Sequence, residues 1–297
     1  MKIGFIGTGV MGSRMVKRLL AKGYQVMVFN RTPEKAAALA DFGAEVTTSI
    51  AELTQHSDVI CTCLPMPQDV ELVYLSENGV LANAKPHTVC IDFTTVGVDT
   101  SRVIFEAAAA NGISFLDAPV SGGPEGVEHG TLTIMVGGEE SVFDKIEPIF
   151  SVLGETIQYL GPSGSGSIAK LINQYLVAVH SIAASEAMVA GTALGLDSEQ
   201  LFQLLTVSYG DSRMLRRHME GFVLEREFAP GGAVKYVHKD VALANKLFAE
   251  TGMSKFLGRH AENAFAGAME QGLADLDMSA VIQPLEKECG VVVAKKK

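Results

Sequence analysis

The sequence predicts an α/β half followed by an all-helical half, the two joined by one long helix. Three observations carry that prediction. Short apolar strands alternate with helix-patterned stretches as far as Gly161, the pattern of a mostly parallel sheet covered on both faces. A glycine-rich turn stands between the first strand and the first helix. Beyond Gly161 the alternation stops, and the segment from Ser167 to Leu196 holds no proline and only two formal charges, Lys170 and Glu186. A length of 297 residues accommodates two domains of ~150 residues each. The boundary is expected at residue 163, giving domains 1–163 and 164–297.

Composition narrows the function classes. With 47% hydrophobic and 20% charged residues the chain is an ordinary globular one. A formal net charge of -10 argues against nucleic acid or an anionic membrane as partner. Cys61, Cys63, Cys90 and Cys289 form no CxxC pair and read as plain thiols, Cys61 and Cys63 on one face of a strand. No metal site is expected, since Glu125, Glu128 and His129 lack a fixed-spacing partner. Met1 leads straight into an apolar strand, so no signal peptide is expected and the cytosol is the default location. The tail Lys295–Lys297 reads as a frayed end.

Taken in order, Lys2-Ile-Gly-Phe-Ile-Gly7 reads as a short buried strand that runs into Gly7-Thr-Gly9-Val10-Met11-Gly12. A helical pattern follows through Met15, Val16, Leu19 and Leu20, Gly23 stops it, and Tyr24–Phe29 is a second strand. Strand, glycine turn, helix and strand within ~30 residues turn G-x-G-x-x-G into a dinucleotide-binding prediction, the Rossmann plan. Gly7 serves the tight turn, Gly9 the approach of the pyrophosphate, and Gly12 the close packing of helix on strand. The second strand ends in Asn30-Arg31-Thr32. An NAD site places a carboxylate there for the ribose 2′-OH. Asn30 removes that charge and Arg31 offers a cationic fork to a 2′-phosphate, which favours NADP over NAD. Thr32 before Pro33 also reads as a helix cap.

Further strands are expected at Asp58–Leu64, Thr88–Asp92, Ile113–Asp117 and Gly130–Val136, with helices at Gln68–Leu75, Thr100–Ala110 and Glu140–Leu153. Ligands of such sheets bind past the carboxyl ends of the strands. The loops of interest are therefore Leu64-Pro65, Thr94-Thr95 and Ser121-Gly122-Gly123. Ser-Gly-Gly exposes consecutive amides, a small nest for a carboxylate, and also reads as a plain glycine turn.

In the second half, helices are expected at Ser198–Val207, Arg213–Glu225, Lys239–Glu250, Phe256–Glu270 and Met278–Glu288. The long segment opens on Gly161-x-x-Gly164-x-Gly166-x-x-x-Lys170-x-x-Asn173-Gln174. Thirty helical residues would span roughly 45 Å. A stretch apolar nearly all round reads as a helix buried between two bodies rather than a membrane span, because Lys170, Asn173, Gln174, His180 and Glu186 interrupt it. Lys170 near the helix start sits on the unfavourable side of the macrodipole, which tends to lower its proton affinity. His180 reads as a satisfied core histidine. Helices with large apolar faces point to a homodimer or homotetramer.

Together these stretches resemble the β-hydroxyacid dehydrogenases, a family that includes 3-hydroxyisobutyrate dehydrogenases and semialdehyde reductases. The specific motifs are Asp117-Ala-Pro-Val-Ser-Gly-Gly with Gly130-Thr-Leu and Met135-Val-Gly-Gly138, and the Gly161–Asn173 stretch with Lys239-Asp240. The resemblance implies that Lys170 is the catalytic general acid and base, that Asn173 holds substrate beside it, and that Asp240 orients Lys170. It implies that Ser121, Gly122 and Gly123 bind a substrate carboxylate. Gly7, Gly9, Val10, Met11, Gly12, Asn30, Arg31, Thr32, Leu64, Pro65, Thr95 and Lys239 would lie at the cofactor. The substrate would be a small carboxylate-bearing aldehyde or hydroxy acid. Alternatives are an imine reductase, which generally lacks the lysine, and a non-catalytic NADP-binding module. The chain departs from the family at Arg18 and Val16, at Gln174 in place of a second Asn, and at Gly232 in place of Phe. The last predicts a roomier or differently shaped pocket.

Overall fold

The computed structural model of the protein describes residues 1–295. The chain divides into two compact units at Lys170/Leu171, inside the long helix. The expected boundary at 163 lies just upstream of that helix.

The first unit is built on a six-stranded sheet of β1 (Lys2–Ile6), β2 (Gln25–Phe29), β3 (Glu45–Val46), β4 (Val59–Thr62), β5 (Val89–Asp92) and β6 (Ser114–Asp117). All neighbours pair parallel, in the order β3-β2-β1-β4-β5-β6. Strand order reverses between β1 and β4, which opens the binding crevice of a Rossmann sheet at their carboxyl ends. Side chains alternate between two cores. Ile3, Phe5, Val26, Val28, Val59, Cys61, Val89 and Ile91 enter one, while Ile6, Met27, Ile60 and Cys90 enter the other. Helices α1 (Val10–Ala21), α2 (Pro33–Ala37), α3 (Ile50–Gln55), α4 (Pro67–Leu75), α5 (Val80–Asn83), α6 (Val98–Ala110), α7 (Gly123–His129) and α8 (Glu140–Leu153) complete the unit. Cys61 and Cys63 share one face as expected, and burial pushes the Cys61 thiol well up, where it is inert.

One strand is placed differently from the expectation. β8 (Leu132–Val136) is outside the main sheet and centres a three-stranded one, antiparallel to β7 (Val120–Ser121) and parallel to β9 (Gly154–Tyr159).

The long helix, α9 (Ser165–Ala193), runs for 29 residues. By length and composition it is the one described helix able to cross a membrane, and 44% of its most apolar window is buried. It is not covered all round: Ile172 is 44% and Leu176 47% exposed, and His180 is exposed rather than a core residue. The inward face explains the second unit. Ala178 and Ile182 pack with Val234, Val237 and Val241 of α12 (Val234–Glu250) and with Ala261 and Phe265 of α13 (Gly258–Glu270). Further along, Ala184, Met188 and Val189 pack with Phe202 of α10 (Ser198–Leu205), Leu215 of α11 (Arg213–His218), and Ile282 of α14 (Ile282–Cys289). The stretch expected as one helix from Arg213 to Glu225 changes to a π turn at Met219–Val223. The C-terminal stretch is tied down as far as it is described. Val293 is buried, the Lys295 amide donates to Leu224 O, and its amine pairs with Glu225, whereas Lys296 and Lys297 lie outside the described residues.

Candidate active site

The glycine turn has the shape its spacing predicts. Gly7 has φ +98, and a Cβ there would meet Cys63 O at 2.3 Å. A Cβ at Gly12 would fall 1.9 Å from Gly7 O, so α1 can lie on β1 only without a side chain at that point. Gly9 is different: a Cβ there meets nothing within 4 Å. Beside that open space Val10 is 57% exposed, and the buried Thr8 Oγ1 has no partner among the described residues. An empty cradle, an unsatisfied hydroxyl and the start of α1 together fit a dinucleotide's pyrophosphate.

Asn30 at the end of β2 is committed to the turn itself. Its Oδ1 accepts from the Thr8 amide at 2.9 Å and its Nδ2 donates to Thr32 O at 2.9 Å. Thr32 is the N-cap of α2 with Pro33 following, although its side chain makes no cap bond. Arg31 is exposed, with Nη1 2.9 Å from Asp69 Oδ1. Arg18 also has a role that the resemblance did not assign. It donates to Val152 O at 2.9 Å and Glu128 O at 2.8 Å, tying the ends of α8 and α7 to α1. Val16 is fully buried in the core beneath.

Leu64, Pro65 and Thr95 follow β4 and β5 at the same edge of the sheet, and a residue the sequence reading passed over fastens their loops. Asp92 is buried at the end of β5, its Oδ1 accepting from Thr62 Oγ1 at 2.7 Å and from the Thr94 amide at 3.1 Å. Thr94 Oγ1 in turn accepts from the Leu64 amide at 2.9 Å. Burial pushes the Asp92 carboxyl up to about 6 from 3.8, with the Thr94 and Thr62 bonds opposing. A carboxyl raised in the fold binds a proton that the unfolded chain has already lost, so its cost to stability grows as pH rises through about 4 to 6 and is complete above that window. Asp92→Asn keeps the acceptor oxygen and removes the charge. Urea unfolding should therefore show this variant more stable than the parent by up to ~3 kcal/mol at pH 7.5, with the gain gone near pH 4. A variant equally destabilised at both pH values would contradict this account of Asp92.

Ser121 closes β7, with Gly122 at φ +133 and Gly123 at φ +66 opening α7. Both glycines have a positive φ, a backbone that side-chain-bearing residues rarely adopt. Downstream, Lys170 stands in the second turn of α9 and is 7% exposed. Asn173 follows it by one turn, in the second unit, and its Nδ2 donates to Gln174 Oε1 at 3.0 Å. Gln174 passes this on to Asp240 Oδ2 through its Nε2. Asp240 Oδ1 lies 3.0 Å from Lys239 Nζ, both on α12. The substitution at Gln174 is thus absorbed as a relay between Asn173 and Asp240. At Gly232 a Cβ would meet only Met278 Cε, at 2.6 Å, the mobile end of a flexible side chain.

Comparison with known proteins follows the same two-part division. Residues 2–161 match the NAD binding domain of 6-phosphogluconate dehydrogenase, and residues 164–285 match the NAD-binding family of NADP-dependent 3-hydroxyisobutyrate dehydrogenase. The 2-(hydroxymethyl)glutarate dehydrogenase of Eubacterium barkeri is 38% identical over 293 residues, 99% of this chain and 97% of that one. The chain belongs to the β-hydroxyacid dehydrogenase family. An NAD-dependent L-serine dehydrogenase of Pseudomonas aeruginosa is 35% identical, covering 94% of this chain and 96% of the relative. A solved Mycobacterium tuberculosis 3-hydroxyisobutyrate dehydrogenase with L-serine superimposes with a TM-score of 0.87 at 35% identity, covering 96% of this chain and 98% of that one. Membership makes the protein a nicotinamide-dependent hydroxyacid oxidoreductase.

Proposed function

We propose that the protein interconverts small 3-hydroxy acids bearing a primary hydroxyl with their semialdehydes, uses NADP(H) in preference to NAD(H), and relies on Lys170 as general acid and base. The observation that carries this reading is a buried lysine in the second turn of α9, in a chain of this family. The named relatives add the substrate class. L-serine, 3-hydroxyisobutyrate and 2-(hydroxymethyl)glutarate share a carboxylate, a substituted α carbon and a CH2OH group, and differ only in the α substituent.

A bound nicotinamide supplies hydride exchange with the carbon that bears the hydroxyl or carbonyl. The amides of Ser121, Gly122 and Gly123 hold the substrate carboxylate and so fix where that carbon stands. Lys170 Nζ donates a proton to the carbonyl oxygen as charge builds on it, and in the oxidative direction the neutral amine removes the hydroxyl proton. Asn173, one turn further along the helix, is the proposed additional substrate contact, and in the second unit it belongs to one polar set with Gln174, Asp240 and Lys239. The exposed Ile172 and Leu176 on α9 support self-association as a dimer or tetramer, and the cytosol is the proposed compartment.

NADP preference rests on Arg31. Its exposed pair with Asp69 is worth at most ~1 kcal/mol and gives way readily to a 2′-phosphate. Arg31→Ala should raise the KM for NADPH by roughly 10- to 100-fold, the value of a lost charge-assisted contact, and leave the KM for NADH unchanged. Equal loss with both cofactors would remove the preference from the proposal. The function itself is tested by following NADPH and NADH consumption with tartronate and methylmalonate semialdehydes, beside glyoxylate and succinic semialdehyde, which would give 2- and 4-hydroxy acids, as comparisons. Oxidation of L-serine, 3-hydroxyisobutyrate and 2-(hydroxymethyl)glutarate tests the reverse direction. Turnover of a cyclic imine in place of all of these would assign a different chemistry.

A further inference from the structure

Several separate motifs converge on one carboxylate. Asp117, at the end of β6, is 1% exposed. Its Oδ1 accepts from the Gly164 amide at 2.8 Å and its Oδ2 from the Ser167 amide at 2.9 Å. α9 begins at Ser165, so these are the amides of the N-cap and of the third helical residue. They are the two that a capping box satisfies from within the helix. Gly164 carries no side chain to do this, and at φ +93 with Val98 Cγ1 2.9 Å from any Cβ it has no room for one. The cap is supplied instead from a strand 47 residues away.

The neighbouring glycines are shaped to admit it. A Cβ on Gly137 would lie 2.7 Å and 2.9 Å from the two carboxylate oxygens of Asp117. A Cβ on Gly166 would lie 2.2 Å from Met135 O and 3.0 Å from Asp117 Oδ2. The Asp117 amide and carbonyl are also paired with Gly137, at 3.1 Å and 2.8 Å. Ser167 is further pinned by its Oγ, 2.9 Å from Ser101 Oγ. Burial pushes the Asp117 carboxyl up, against the amides of Gly164 and Ser167, which favour the charged form. The charge is met by the positive end of α9.

Two chain segments leave this junction. In one direction Asp117 leads through Ala118 and Pro119 into Ser121–Gly123. In the other the capped turn leads within one further turn to Lys170. We infer that Asp117 is a positioning residue, which sets the spacing between the Ser121–Gly123 loop and Lys170 by clamping the first turn of α9. The inference rests on the proposed roles of that loop and that lysine. A substrate held by its carboxylate at one end and protonated at its carbonyl oxygen at the other tolerates little error in this spacing, and a displacement of about 1 Å costs on the order of 10²-fold in rate.

The test compares D117N and G137A with the parent in the full-length enzyme. D117N removes the charge and turns one acceptor into a donor that faces an amide. G137A changes no charge and displaces the carboxylate by steric contact, its Cβ also meeting Gly166 N of the capped turn at 2.9 Å. For both, kcat is expected to fall by roughly 10²-fold while the cofactor Kd, read by fluorescence titration, stays at the parental value, because among the described residues no hydrogen bond joins the Gly7–Gly12 turn to this junction. The double variant should lose no more than the worse single one, since both changes act through one carboxylate. Parental kcat in either folded variant overturns the inference. So does a kcat loss matched by an equal loss of cofactor affinity, or full additivity in the double variant. If D117N does not fold, G137A alone decides by the same kcat and Kd readings. K170A run alongside separates the two levels: turnover surviving in K170A removes the proposed function, whereas turnover lost in K170A and kept in D117N and G137A removes only this inference.

Discussion

Lys170→Ala is expected to lose turnover by roughly 10³-fold while binding NADPH as tightly as the parent. The argument is one of place. The amine is buried, so its stem is held, and it stands on a helix whose first turn is capped by Asp117 and pinned through Ser101 and Ser167. An amine fixed in that way costs little to align at the moment of proton transfer. The cofactor-binding turn lies between β1 and α1, elements separate from α9. Stopped assays for turnover and fluorescence titration for NADPH binding separate the two effects. Turnover retained with binding lost would reverse the assignment.

Gly9→Ala should abolish tight cofactor binding without destabilising the fold, and Gly12→Ala should do the opposite first. Gly9 has φ -70 and ψ -163, extended backbone that any residue adopts, and its Cβ would enter empty space. That space is where a pyrophosphate must approach, so an alanine there is expected to weaken NADPH binding by roughly 10²-fold, as when a charge-assisted hydrogen bond is lost, at an unchanged melting temperature. A Cβ on Gly12 would strike Gly7 O at 1.9 Å, so Gly12→Ala lowers the melting temperature before any ligand is added. Identical behaviour of the two variants would mean that the open space at Gly9 is not the cofactor's.

Much of this was legible in the residues because it is local. Lys2–Ile6, Gly7–Gly12 and the strand ending at Phe29 lie within one βαβ unit, where period, turn chemistry and glycine spacing all agree. The second sheet was not legible. β7 is two residues long, and β9 follows α8 with no loop, exposing Glu155, Thr156 and Gln158 rather than an alternating apolar face. β3, also two residues, is exposed and carries no strand signal. The long helix was recognised by its apolar run, but composition cannot tell which apolar side chains turn outward, and Ile172 and Leu176 do. Asp92 and Asp117 escaped for another reason. Each is a carboxyl closing an apolar strand, and its partners lie far off in sequence, Ser167 being 50 residues from Asp117. The glycines that make room for Asp117 were visible as motifs, but what they make room for emerges only in three dimensions.

The most direct measurement of the central claim is isotopic. Enzyme, tartronate semialdehyde or methylmalonate semialdehyde, and NADPH carrying deuterium at both C4 positions are incubated together, and the hydroxy acid formed is analysed by mass spectrometry. The account predicts one deuterium on the carbon that was the aldehyde, with its formation lost in Lys170→Ala. A product free of deuterium, or a labelled one formed as fast without the lysine, would contradict it.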